Sequence, residues 1–233
     1  MIKQKLREAW LKRKPFYRRY GYRSPLYIGS MNHRGIVDPD LKLFFNRVPK
    51  CGNSSIVKAL GKHYGRSTED VEGLKDTFLT PADLSRQQVD RFDEFYKIAI
   101  VRDPFVRTLS AYLDIFVGKG RAKDYDIGSF DEFCRYLDNG GLYDNIHWAP
   151  QIDCLLMQPD EFDHIARFER LSEEMAALGE RIGIDLDPDR HRHSPHATNA
   201  TDRVSQHYNA ENEEVVARLM AKDFAAFDYK AKL

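Results

Sequence analysis

Residues 47–56, RVPKCGNSSI, join an apolar run to a helical pattern through one lysine, one glycine and two hydroxyl residues. A turn of this kind points unpaired backbone N–H groups and the positive end of a helix dipole at one spot. That is the chemistry of an anion site. Gly52 lets the backbone approach closely, Lys50 supplies a point charge, and Ser54 and Ser55 supply hydroxyl donors. The loop is not a Walker A motif: GxxxxGK[ST] is absent, Lys50 precedes the glycine, and no second strand offers an obvious Mg²⁺-holding carboxylate. An ordinary strand-to-helix turn has the same composition, so this segment alone decides nothing. Cys51 borders the same cation and helix start, conditions that acidify a thiol, which keeps a cysteine-nucleophile hydrolase among the alternatives.

A second segment, 101–112 (VRDPFVRTLSAY), sets Arg102 at the carboxyl end of an apolar strand. Pro104 is placed to begin a helix that carries Arg107 and Ser110. Ligands of open α/β sheets bind beyond the carboxyl ends of the strands, so both segments can open onto one crevice. There Arg102 offers a planar fork suited to a phosphate and Ser110 a neutral donor. The plain alternative is that Arg102 pairs with Asp103 and Ser110 lies on a helix surface.

The elements that must position these residues follow from periodicity. Strands are expected over 41–48 (LKLFFNRV) and 97–101 (KIAIV), with a short one over 164–168. Helices are expected from 56 to Gly61 or Gly65, over 105–117, 129–137, 172–181 with Ser172 as N-cap, and 212–224. Residues 185–206, with His191, His193 and His196, read as an irregular loop. Strand–turn–helix with an apolar strand occurs twice, which predicts an α/β fold with a parallel sheet. Residues 24–40 are rich in Gly, Pro, Asn and Asp and read as a linker. The plan is a basic arm and linker over 1–40 and one domain over 41–233.

Together the two segments resemble the nucleotide-binding signature of sulfotransferases that use 3′-phosphoadenosine 5′-phosphosulfate (PAPS). RVPKCGNSS is similar to that family's loop for the 5′-phosphosulfate, and VRDPFVRTLSAY to its 3′-phosphate motif. HWAPQ at 147–151, RFERLSEEM at 167–175 and KDFAAFDY at 222–229 extend the resemblance to the Golgi carbohydrate-sulfotransferase branch. Five motifs stand in the family's order. The resemblance implies a P-loop-like three-layer α/β fold, a central parallel sheet flanked by helices, and sulfuryl transfer from PAPS to a hydroxyl of a carbohydrate or glycolipid, leaving adenosine 3′,5′-bisphosphate.

By position, the resemblance assigns Lys50, Cys51, Gly52, Asn53, Ser54 and Ser55 to the 5′-phosphosulfate, and Arg102 and Ser110 to the 3′-phosphate. Residues around His193 and Ser194 resemble the segment that closes over the nucleotide. A hydroxyl acceptor needs a general base. His147 is the candidate, beside Trp148, which could stack on a sugar face; Asp114, Glu169 and His63 are weaker ones. No metal is expected. A non-catalytic anion- or glycan-binding module on the same scaffold and an unusual nucleotide kinase are the remaining alternatives.

Composition narrows the partners. Lys plus Arg number 36 and Asp plus Glu 36, so a molecule-wide basic field of the kind that drives nucleic-acid binding is excluded. With 233 residues, one globular domain is expected. Cys51, Cys134 and Cys154 are too few and scattered for a disulfide framework or a zinc site. No apolar run approaches the roughly 20 residues of a membrane span, and 1–23 lacks the pattern of a secretory signal. A soluble, bacterial-type member in the cytoplasm is therefore expected. One asymmetry stands out: nine Lys and Arg precede residue 24, with Glu8 the sole acid, interleaved with Trp10, Phe16, Tyr17 and Tyr20. Such a segment suits an anionic membrane's inner face, a polyanion, or simply a solvated surface.

Overall fold

The computed structural model describes residues 2–186 and 198–233. Four strands form one sheet in the order β1 (Gly35–Asp38), β2 (Leu43–Asn46), β3 (Tyr96–Val101) and β4 (His164–Arg167). β2, β3 and β4 run parallel, with Phe45 beside Ile98 and Ile98 beside His164. Strands β1 and β2 are wholly buried, which is why β2 reads in sequence as an unbroken apolar run. Helices flank the sheet. This is the mixed α/β, P-loop-like arrangement expected.

β1 was not expected. It lies antiparallel on β2, within the stretch read as a linker, and the helix Ile28–Asn32 precedes it. The turn between β1 and β2 uses polar residues as struts: Asp38 Oδ1 accepts from the Asp40 and Leu41 N–H groups at 3.1 Å each. Lys42 completes the turn at a φ of 47°, so β2 starts at Leu43 rather than 41. A polar composition built a tight hairpin here. The aromatics of the basic segment also differ from a free arm. Phe16 and Tyr17 are buried, and the Phe16 ring packs 5.5 Å from Phe92 and 6.0 Å from Phe44 of β2.

Several boundaries moved for local reasons. The helix after β4 runs Leu171–Ile182 with Arg170 at its N-cap position, so Ser172 lies inside its first turn. The last helical stretch is two helices, Ala210–Leu219 and Ala221–Phe227, broken at Met220. The helix Pro104–Tyr112 passes into a π-helical turn, Leu113–Gly118. Turns of that type are rare and often stand at functional positions. No helix among the described residues is long and apolar enough to cross a membrane.

Candidate functional site

The β2 loop is shaped by two left-handed residues, Lys50 at φ 70° and Gly52 at φ 74°. Gly52 is the N-cap of the helix Asn53–His63, and a Cβ there would stand 2.7 Å from Leu171 Cδ2, so only glycine fits. Asn53 Nδ2 donates to the Val48 carbonyl at 2.7 Å and closes the loop. Asn53 and Ser54 occupy the first helical positions, where N–H groups have no intrahelical acceptor. Ser54 is exposed and Ser55 partly so. The loop therefore turns free backbone N–H groups at a helix start toward one spot beside Lys50.

The lysine of this loop is held by a carboxylate. Lys50 Nζ lies 3.0 Å from Asp114 Oδ2, in the π-helical turn, and Lys119 Nζ stands 3.1 Å from the same oxygen. Burial pulls the Lys50 ammonium below its ordinary range, and Asp114 pulls it partly back. Burial pushes the Asp114 carboxyl up, but Lys50 and Lys119 outweigh it and hold the group below the usual range.

Arg102 follows β3 and is buried. Its guanidinium donates to the Lys50 carbonyl at 3.4 Å and to Thr201 Oγ1 at 3.3 Å, and lies 4.2 Å from the Phe168 ring centre. None of these contacts is anionic, and its buried Nε has no hydrogen-bond partner among the described residues. Burial lowers its pKa. Asp103 does not pair with it as the plain alternative had it. Instead Asp103 caps the helix Pro104–Tyr112, accepting from the Phe105 and Val106 N–H groups. Ser110 is buried, its Oγ 3.0 Å from Thr198 Oγ1. One short segment, 198–201, thus meets both Arg102 and Ser110.

Two residues fix this geometry. Gln151 accepts from the Arg102 N–H at 2.9 Å and donates to the Arg102 carbonyl at 2.8 Å, which locks that backbone. Arg107, fully buried, donates to the carbonyls of Pro49 at 2.9 Å, Ala149 at 2.8 Å and Ile146 at 3.4 Å. It ties the β2 loop to the 146–149 loop. Gln151 and Arg107 stood inside recognised motifs, but Thr198 and Thr201 lay in an irregular stretch with no spacing to mark them.

Other expectations change. The Cys51 side chain is turned into the core, its Sγ 3.4 Å from Gln151 Oε1. Burial pushes its thiol up to about 12, the opposite of the acidification that its neighbours suggested. Burial wins, and the hydrolase reading loses its nucleophile. Trp148 is also core: its ring stacks on Phe116 at 5.9 Å and its Nε1–H donates to the Gly141 carbonyl at 2.9 Å. It has no free face for a sugar.

His147 is brought near the cations. Its Nδ1 lies 2.7 Å from Asn145 Oδ1, and burial, then Arg34 and Lys50, pull its pKa down to about 3. Glu169 is a buttress, accepting from the Asp103 N–H and the Tyr229 hydroxyl at 2.8 Å each. His63 is exposed at the far end of its helix, against the Tyr64 ring. His193 and Ser194 lie outside the described residues. A cleft of about 350 Å³ at the opposite, amino end of the strands, lined by Lys42, Glu94, Tyr96 and Asp163, holds none of these groups. Among the described residues, no cluster of three or more His, Cys, Asp or Glu is arranged to hold a metal.

The comparisons with known proteins bear on the same span. The sulfotransferase family model matches residues 33–230. Carbohydrate sulfotransferase 14 of Danio rerio is 28% identical over 189 residues, covering 69% of this chain and 51% of that protein. Carbohydrate sulfotransferase 10 of Xenopus laevis is 26% identical over 233 residues, covering 81% of this chain and 65% of that protein. The chain thus spans between half and two thirds of the length of these relatives. No solved structure matches it.

Proposed function

The chain belongs to the sulfotransferase family, and from that premise we propose that it transfers the sulfuryl group of PAPS to a hydroxyl of a carbohydrate. The observation that carries this reading is Arg102, a buried cation that makes no ion pair among the described residues, beside the Lys50 loop and a helix N-terminus. A buried charge without a direct ion-pair partner is costly, and a bound anion relieves that cost. Both similar relatives are carbohydrate sulfotransferases by name, which supports a sugar acceptor.

In this reading the donor's 5′-phosphosulfate lies on the β2 loop and its 3′-phosphate at Arg102 and Ser110. The acceptor hydroxyl attacks sulfur and loses its proton to His147. The sulfur–oxygen bond to the 5′-phosphate breaks as the new one forms, and the phosphate oxygen keeps the electron pair. Lys50 meets that developing charge. The protein's contribution is chiefly position and fixed charge, as in phosphoryl transfer. The reading extends to glycolipid acceptors and to a cytoplasmic protein in peripheral contact with the membrane's inner face.

Calorimetric titration with adenosine 3′,5′-bisphosphate, against 5′-AMP and ATP, tests the donor site. A strong preference for the bisphosphate, lost in Arg102→Ala, is expected. Binding of ATP alone would favour a kinase, and no binding by any of the three would remove the donor reading.

A further inference from the structure

Three large apolar side chains on one helix face water. In the helix Ile2–Lys12, Ile2 is 76% exposed, Leu6 65% and Trp10 55%. Their spacing of four residues puts them in one stripe, since a helix turns about 100° per residue. Leu11 projects from nearly the opposite side and is buried in the core. On the body side, Arg7 also reaches His33 Nε2 at 3.3 Å. The helix is therefore fixed to the domain with its apolar stripe turned outward.

Charge frames the stripe. By the same periodicity Lys3 flanks one edge and Lys5 the other. Lys14, just past the helix, lies with its ammonium 4.2 Å from the Trp10 ring centre. Residues 2–14 hold six Lys and Arg against Glu8 alone, and Glu8 is paired with Lys12 at 2.7 Å. An apolar stripe between long cationic side chains matches a layered surface, hydrocarbon below and anions above.

We infer that the helix Ile2–Lys12 docks the protein on an anionic lipid bilayer, with Ile2, Leu6 and Trp10 entering the acyl boundary and Lys3, Lys5 and Lys14 meeting the headgroup phosphates. A polynucleotide or other soluble polyanion explains the cations but not the stripe. Of the other aromatics among these cations, Phe16 and Tyr17 are enclosed in the core and the half-buried Tyr20 packs on Phe16 and Phe92, which leaves Trp10 in place of a stacking platform. The inference deepens the membrane contact proposed above by naming the surface that makes it, and it does not rest on sulfuryl transfer, so it can fail while the donor site holds, and the reverse.

Co-sedimentation of the full chain with phosphatidylcholine vesicles, with and without phosphatidylglycerol, is the test. Binding only to the anionic vesicles, weakened by salt, is expected, together with a blue shift of tryptophan emission. Trp148 is already buried, so that shift reports Trp10. Leu6→Glu/Trp10→Glu should lower vesicle affinity at least about tenfold, and Lys3→Glu/Lys5→Glu about fivefold or more per charge. Both variants should keep the wild-type affinity for adenosine 3′,5′-bisphosphate, or the wild-type melting temperature should that nucleotide not bind, which shows that the domain is intact. Wild-type protein left in the supernatant would overturn the inference. So would equal vesicle binding by Leu6→Glu/Trp10→Glu, or capture by polynucleotide but not by vesicles.

Discussion

Lys50 Nζ stands 3.0 Å from Asp114 Oδ2, so the cation that the donor reading places under the leaving phosphate is held by a carboxylate from the π-helical turn. The pair keeps Lys50 charged against the pull of burial, and the donor must compete with Asp114 for it. Asp114→Asn therefore has two expected effects on adenosine 3′,5′-bisphosphate binding. Near neutral pH, affinity rises about fivefold, because a partly buried ion pair is worth about 1 kcal/mol. At high pH the order reverses. Without Asp114 the ammonium deprotonates earlier, so the alkaline loss of affinity begins at lower pH than in the wild type. Titrations across the alkaline range check both, while Lys50→Ala loses turnover and keeps part of the nucleotide affinity.

His147 is a weak base, with its pKa pulled down to about 3 by burial, then by Arg34 and Lys50. Two of these three causes are positive charges, which an anionic donor offsets. Its pKa should therefore rise when adenosine 3′,5′-bisphosphate binds, visible as an imidazole titration by NMR. In kinetics, the acid limb of kcat, which reports the complex, lies at higher pH than that of kcat/KM for the donor. His147→Asn should cost at least about a hundredfold in kcat and change nucleotide affinity little. Unchanged turnover would move the proton-accepting role elsewhere.

Much of this site was legible because its parts are local. The β2 loop announces itself through Lys50, Gly52 and two hydroxyls in a row, and Arg102 through its place after an apolar strand. What stayed hidden depends on distant chain. β1 is four residues, GIVD, among turn-forming neighbours, and it exists because β2 offers it an edge. The neighbours of Cys51 predicted an acidic thiol, yet the packing that encloses it comes from residues far along the chain, Gln151 among them. Trp148 sits in a motif that suggested a sugar platform, but Phe116 and Phe133 close over it. Long-range burial decided each case.

Thr201 Oγ1 accepts from Arg102 at 3.3 Å, and Thr198 Oγ1 lies 3.0 Å from Ser110 Oγ. A hydroxyl that accepts from a buried guanidinium can turn and donate to an arriving phosphate. Thr201→Val keeps the volume and removes the donor. The expected loss is about tenfold in affinity for adenosine 3′,5′-bisphosphate, in line with one hydrogen bond to a charged group, with affinity for 5′-AMP unchanged. Calorimetry on both ligands separates this from a general loosening, which would weaken both.

Arg102 and Arg107 are both buried, yet they should respond oppositely to replacement by methionine. Arg107 satisfies three main-chain carbonyls, those of Pro49, Ala149 and Ile146. Its removal strands them in the interior, and each stranded group costs roughly 1–3 kcal/mol. Arg107→Met should lose at least about 3 kcal/mol in urea unfolding. Donor affinity should fall with it, since the β2 loop loses its tie to the 146–149 loop. Among the described residues Arg102 has long hydrogen bonds, a partnerless Nε and no ion pair. Replacing such a group with an apolar side chain of similar length is commonly neutral or stabilising. Arg102→Met should therefore keep or raise the melting temperature of the free protein while abolishing its preference for the bisphosphate. Saturating bisphosphate should then stabilise the wild type and leave Arg102→Met nearly unchanged, because a ligand stabilises only the state that binds it. If both variants lost stability alike, Arg102 would be a structural clamp like Arg107 rather than a cation kept ready for phosphate.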